Sequence, residues 1–215
     1  MKKCIVSFAN KENRYVQNLA RLSDSLRNNF DGDFIAFIGE KSCGAESHFD
    51  NPYNFKIHCI QRAIDAGYEQ ILWLDSSCFA IKNVQPIFDE ITNEGFIFQD
   101  IGFTLDQWCN DFTLNYFGMT REQAKEVRLI GNAGFLGFDI TRPLCREFFD
   151  KWKASMVAGC FKGSWSDHRH DLSCNSAIIH QMGIAYMMKE KDEWLQYCNI
   201  FGETANSTII IKAEG

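Results

Sequence analysis

The stretch Gln70-Ile71-Leu72-Trp73-Leu74-Asp75-Ser76-Ser77 is a short apolar run closed by a carboxylate and two hydroxyls. Ile71 to Leu74 has the length and content of a strand buried on both faces, as in a sheet covered by helices on each side. A buried strand that stops at a carboxylate delivers that charge to the C-terminal edge of its sheet. Open α/β sheets bind their ligands at that edge. Asp75 is therefore the first candidate for chemistry, set against the commoner role of a lone aspartate as a turn residue.

The flanking segments supply the rest of such a sheet. Cys4 to Ala9 reads as a first buried strand, and Asn10 to Asn13 as a polar turn. Arg14 to Phe30 carries apolar residues at helical spacing (Val16, Leu19, Ala20, Leu22, Leu26). Phe34 to Ile38 is a second strand. Glu40 to Asn54 is polar and irregular. Phe55 to Ala66 is a helix stopped by Gly67. The resulting β-α-β-α-β order with short links predicts an α/β, Rossmann-like fold, with a mostly parallel central sheet and helices on both faces.

The second half changes style. A short helix is expected over Gln85 to Ile91, with Pro86 in its first turn, followed by a strand at Phe96 to Phe98. Thr120 to Glu126 is helical, Gly134 to Asp139 is a Gly-broken strand, and Pro143 to Met156 and Asp171 to Met182 are helices. Short strand-like pieces are expected over Glu193 to Ile211. No repeat, linker or low-complexity tract interrupts the chain, so residues 1–215 are expected to form a single domain.

Composition narrows the class. The 215 residues are 46% hydrophobic and 23% charged, which suits a globular domain with an ample core. A net charge of −6 disfavours a broad polyanion-binding face. Lys151, Lys153 and Lys162 form a modest basic stretch that Arg142, Arg146 and Arg169 can extend if the fold gathers them. The nine cysteines are odd in number and no pair is spaced C-x-x-C, which argues for free thiols over zinc knuckles or a disulfide framework. Met1-Lys2-Lys3 leads straight into a strand, and no apolar run reaches the roughly 18 residues of a membrane span. A soluble, cytoplasmic protein is the expectation.

At this point the residues resemble a known family. The order of parts is similar to a nucleotide-diphospho-sugar glycosyltransferase of the GT-A type, over about residues 3 to 185. In that family the third core strand ends in an Asp-x-Asp motif that holds a divalent metal on the donor's diphosphate. The counterpart here is Asp75-Ser76-Ser77, with Ser77 where the second aspartate is expected. Gly131-Asn132-Ala133-Gly134-Phe135-Leu136-Gly137-Phe138-Asp139 resembles the Asn-Ala-Gly strand of the retaining, galactosyltransferase- and glycogenin-like branch. His168-Arg169-His170-Asp171 resembles the start of that branch's later acidic helix, with Leu172 in place of the usual glutamine.

The resemblance implies a transferase that moves a sugar from a nucleotide-diphosphate sugar, a UDP-sugar first of all, to an acceptor hydroxyl. The acceptor is a glycan or a hydroxymethylated base of phage-type DNA. Mn²⁺ or Mg²⁺ is implied on Asp75 and Ser77. Ser7, Phe8 and Ala9, at the end of the first strand, are expected at the nucleotide base and ribose. Ser76, the middle residue of the motif, is expected with Asp75 and Ser77 among the donor-binding residues. Lys56, poorly placed for the helix dipole at a helix start, and Arg169 are expected to face phosphate. Asp100, Asn132 and Asp171 are expected at the donor sugar or acceptor hydroxyl, with Asp171 orienting that hydroxyl or acting as base. Asn132 is otherwise a turn residue and Asp171 a helix cap. Two other readings stand beside this one. A nucleotidyltransferase would need a Gly-rich loop after the first strand, where Asn10-Lys11-Glu12-Asn13-Arg14 has no glycine. A non-catalytic sugar-nucleotide or glycan-binding protein would accommodate the Ser77 replacement.

Overall fold

A computed structural model describes residues 1–98, 100–130, 134–185, 198–199 and 210–214, apart from the side chains of residues 100, 101, 130 and 199. Strands β1 (Lys3–Ala9), β2 (Asp33–Ile38) and β3 (Gln70–Leu74) form the parallel half of a five-stranded sheet. Strands β5 (Phe96–Ile97) and β8 (Phe135–Asp139) complete it in the order β2-β1-β3-β8-β5. β8 runs antiparallel to both its neighbours. Four strands therefore share a direction, and the sheet is mostly parallel as expected. All five residues of β3 are buried.

The helices follow the apolar spacing. Helix α1 (Asn13–Leu26) buries Leu19, Leu22 and Leu26 against the sheet. The expected irregular stretch contains a single turn, α2 (Glu40–Cys43), before α3 (Asn54–Asp65). Gly67 takes φ +81° just past α3, a conformation that a side chain would strain. Asn54 fastens the segment ahead of α3: its Oδ1 accepts from Glu46 N at 3.0 Å and its Nδ2 donates to Glu46 O at 3.1 Å. Helix α4 (Gln85–Glu94) runs a turn beyond the expected end at Ile91.

Between β5 and β8 lies an excursion of which the sequence reading anticipates only one helix. Strand β6 (Asp100–Thr104) pairs with β7 (Arg128–Ile130), enclosing α5 (Leu105–Trp108), α6 (Asp111–Tyr116) and α7 (Arg121–Ala124). Leu105, Cys109, Leu114, Ala124, Val127 and Leu129 give this unit its own apolar cluster, against Leu172 and Ala177. α7 is shorter than the expected 120–126 helix because Thr120 is its cap, closing a reciprocal capping box with Gln123. Helices α8 (Pro143–Val157) and α9 (His170–Gln181) follow, and α9 is buried continuously from His170 to Ile179.

A second sheet of three short strands, β4 (Cys78–Ala80), β9 (Cys198–Asn199) and β10 (Ile211–Ala213), closes the chain. It stabilises the turn after β3, where Ser77 O accepts from Glu214 N at 3.1 Å and from Arg21 Nη2 at 2.9 Å. Every described cysteine is free and buried. No helix among the described residues is long and apolar enough to cross a membrane. The basic side chains do not gather into one groove. Arg142 Nη2 donates to the Asn93 carbonyl at 3.1 Å, at the end of α4, Lys153 Nζ donates to Gln61 at 3.0 Å, and Lys151 pairs with Glu147 at 3.6 Å.

The join between β5 and β8 leaves no room for a side chain at Gly137. A Cβ there would come within 2.5 Å of Ile97 Cγ2 and 2.6 Å of Ile91 Cδ1. Gly137→Ala should therefore destabilise the fold by about 1–3 kcal/mol. Urea unfolding reads this as a lower midpoint at unchanged slope; an unchanged midpoint would contradict this packing.

Candidate active site at the carboxyl edge of the sheet

From β1 the chain passes outward to β2, then returns to the other side of β1 as β3. The carboxyl ends of β1 and β3 thus flank a topological switch point, the usual ligand crevice of an open α/β sheet. A cavity of about 270 Å³ opens there. Phe8 and Asn10 enter it from the end of β1, and Asp75, Ser76 and Ser77 from the end of β3. Tyr15 of α1 and Glu40 of α2 close one side, and His48, Tyr53 and Phe55 another.

The walls are aromatic and mutually packed. Phe8 stacks on Phe55 at 4.1 Å between ring centroids, and Tyr53 meets His48 edge-on at 4.8 Å. The Tyr53 backbone N–H donates to His48 Nδ1 at 3.2 Å. That bond requires an unprotonated Nδ1, and burial lowers the His48 pKa in the same direction. Tyr53 holds φ +60°, unusual for a bulky side chain.

Behind the wall lies a buried charge cluster. Lys56 Nζ sits 3.0 Å from Asp171 Oδ2 and 3.8 Å from Asp75 Oδ1. The Lys56 and Asp171 side chains are 2% and 3% exposed, while that of Asp75 is 40% exposed and reaches the cavity. Burial pushes the Lys56 pKa down, but the two carboxylates outweigh it and hold the ammonium above its ordinary range. Burial raises the Asp171 carboxyl against the pull of Lys56. Trp73 Nε1 donates to Asp75 Oδ1 at 2.8 Å, which fixes the carboxylate's orientation, and Trp152 Nε1 donates to the Asp171 carbonyl at 3.2 Å.

The expected site residues divide accordingly. Phe8, Asp75, Ser76 and Ser77 line the cavity. Ser7 and Ala9 are buried and do not, because alternate residues of a strand face opposite ways. Lys56 does not face the cavity as a phosphate ligand; it is enclosed and paired with Asp171. Asp171 is likewise enclosed, in the first turn of α9 rather than capping it. Arg169 is committed elsewhere, its guanidinium 3.7 Å from the Trp108 ring centroid and 4.4 Å from that of Trp165. Asp100 opens β6, but its side chain lies outside the described residues, as does Asn132 altogether. Asn10, Tyr15, Glu40, His48, Tyr53 and Phe55 escaped the sequence reading. Asn10 alone carried a signal, as the first residue past a strand end.

Among the described residues no group of three His, Cys, Asp or Glu side chains stands together as a metal cage. Asp75 and Ser77 offer one carboxylate and one hydroxyl. That set fits a hard cation such as Mg²⁺ or Mn²⁺ whose shell is completed by phosphate oxygens and water.

Two outcomes follow from the buried polar groups. Lys56→Met strands the Asp171 carboxylate and should cost about 3–5 kcal/mol in urea unfolding. His168 is fully buried, its Nε2 donating to Cys160 O at 2.8 Å, and burial lowers its pKa to about 4. A depressed pKa means that the unfolded chain binds the extra proton first. Stability is therefore full above about pH 6.5 and is lost as pH falls toward 4. His168→Gln, which keeps a donor near the Nε2 position, should flatten that slope in melting temperature against pH; an unchanged slope would exclude His168 as its source.

No protein-family model matches the chain, and no curated protein matches it in sequence. Solved structures do match. The apo structure of the bifunctional glycosyltransferase WbbM aligns at a TM-score of 0.54 and 10% identity, over 93% of this chain. The chain spans 40% of the length of WbbM. An active-site mutant of LgtC aligns at a TM-score of 0.54 and 11% identity, over 98% of this chain and 86% of that one. LgtC is described as a galactosyltransferase. With sheet order, switch-point cavity and strand-end carboxylate in place, the likeness shows that this chain has the GT-A glycosyltransferase fold of LgtC and WbbM.

Proposed function

We propose that this protein is a glycosyltransferase that moves a sugar from a nucleotide-diphosphate sugar, first of all a UDP-sugar, to an acceptor hydroxyl. One observation carries the reading: Asp75 ends the central strand inside an aromatic-walled cavity at the switch point of a glycosyltransferase fold. The flat faces of Phe8, Phe55 and Tyr53 suit a nucleobase and ribose. The diphosphate then falls toward Asp75 and Ser77, where a divalent cation shared with them would neutralise the leaving group's charge.

The chain's own residues do the positioning. Trp73 and Lys56 fix the Asp75 carboxylate, and Asp171 holds Lys56 in place from behind. In transfer the acceptor oxygen bonds to the anomeric carbon, the carbon–oxygen bond to the β-phosphate breaks, and the hydroxyl proton leaves to a base. Close placement of donor and acceptor supplies much of the acceleration. Ser77 in place of a second carboxylate also fits a protein that binds sugar nucleotides without turning them over, so binding and turnover need separate measurement.

A thermal-shift panel of nucleotide diphosphates and their sugars, with and without Mn²⁺, tests the donor site. A ligand at about 100 times its Kd should add roughly 2.7 kcal/mol of stability, and the UDP compounds should give this shift with Mn²⁺. Asp75→Ala should retain the fold and lower donor turnover by about 100-fold or more. Full turnover in that variant would remove Asp75 from the site, and no shift across the panel would remove the sugar-nucleotide reading. A shift without turnover in the wild type would leave a binding protein.

A further inference from the structure

Trp165 stands 53% exposed beside the donor cavity. Its ring meets that of cavity-lining Tyr53 edge-on at 5.8 Å. An indole left in water forgoes the burial that ordinarily stabilises it, so the contacts that keep it there are informative. The Arg169 guanidinium is sandwiched between Trp108 and Trp165, and its Nη1 donates to the Trp165 carbonyl at 2.6 Å. The loop is braced on both sides. Asn110 Nδ2 donates to the Lys162 carbonyl at 2.9 Å, and the buried His168 bonds to Cys160 O. Trp165 is thus a pre-organised aromatic surface at the mouth of the cavity.

His170 supplies a second, independent observation. Its ring lies 5.5 Å from that of Trp165 and 5.4 Å from that of Tyr53. It holds φ +49°, strained for a residue other than glycine. Its Nδ1 donates to the Phe161 carbonyl at 2.8 Å, which leaves the lone pair on Nε2. That nitrogen has no hydrogen-bond partner among the described residues, although the residue is only 1% exposed. An unmatched buried acceptor is a cost that a ligand donor can offset.

We infer that Trp165 and His170 form the acceptor subsite of the proposed transferase, and that its acceptor is a carbohydrate. A pyranose packs its C–H face on the exposed indole and directs one of its hydroxyls at His170 Nε2, on the ring that lies 5.5 Å from that indole. The wall does not suit a nucleic acid. Its one arginine is spent in the aromatic sandwich, Asp167 lies on the same loop, and the chain carries a net charge of −6. This inference rests on the transferase reading for its place in the reaction, though not for glycan binding itself.

The test is a glycan array spanning neutral, amino and acidic hexoses, beside a hydroxymethylcytosine-bearing oligonucleotide. The wild type should be retained by at least one glycan class and not by the oligonucleotide. Trp165→Ala should weaken that retention at least tenfold, the loss that about 1.4 kcal/mol represents. His170→Asn keeps a donor for Phe161 O, tolerates the positive φ and removes Nε2. It should weaken retention as well, without lowering the melting temperature. The nucleotide-dependent thermal shift should persist in both variants, because neither residue lines the donor cavity. Retention by no glycan, retention unchanged in both variants, or retention by the oligonucleotide instead would each overturn the subsite. Glycan retention lost in the variants, in a protein that gives no nucleotide shift at all, would leave the subsite standing and remove the transferase reading.

Discussion

The site depends on a buried lysine that joins three elements. Lys56 on α3 reaches Asp171 on α9 and Asp75 at the end of β3. Each charge loses hydration on burial, and an ammonium this deep is stable only with carboxylate neighbours. The three side chains therefore cannot be placed independently. If α9 shifts, Lys56 loses its closest partner; if Lys56 moves, two carboxylates face each other without a cation between them. This mutual dependence fixes the height of Asp75 at the sheet edge, and with Trp73 it leaves the carboxylate little freedom to rotate.

The sheet was legible because buried strands declare themselves as apolar runs. β1, β2 and β3 fall within a residue of their expected limits. The Gly-broken strand at 134–139 was legible for the same reason, and the structure adds that Gly137 is needed for close approach of Ile91 and Ile97. The excursion between β5 and β8 was not. Its helices are of four to six residues, too short for a 3.6-residue period to show, and its strands are recognised only through each other. The small closing sheet depends likewise on β10 pairing with β4, a strand far from it in the sequence.

The same division runs through the site. Asp75, Ser76, Ser77 and Phe8 were legible because strand ends in such sheets meet at one edge. Lys56 is legible as a lysine at a helix start, but its role is not, since its partner Asp171 lies 115 residues away and only the fold brings them together. Burial then reverses the local expectation: a lysine there reads as a phosphate-seeking cation, yet its charge is already matched. Arg169 repeats the pattern, with two indoles occupying the faces that a surface arginine would offer to anions. Tyr53 and His48 carry no local signal, because what places them is the Asn54 clamp and, at Tyr53, a backbone angle that its side-chain type disfavours.

Charge balance at the cavity also bears on the Ser77 replacement. The cavity is lined by two carboxylates, Glu40 and Asp75, and by no lysine or arginine among the described residues. Lys56 lies beneath it with Asp171 as closest partner, so the cluster of two carboxylates and one ammonium remains net negative. A nucleotide diphosphate brings further negative charge. Oppositely placed dipoles and aromatic stacking can orient such a ligand, but they do not offset like charges a few ångströms apart. A second aspartate at Ser77 would deepen the repulsion whenever a cation was absent. A hydroxyl there keeps an oxygen at the turn while limiting that cost, beside the single carboxylate that Trp73 and Lys56 hold in place.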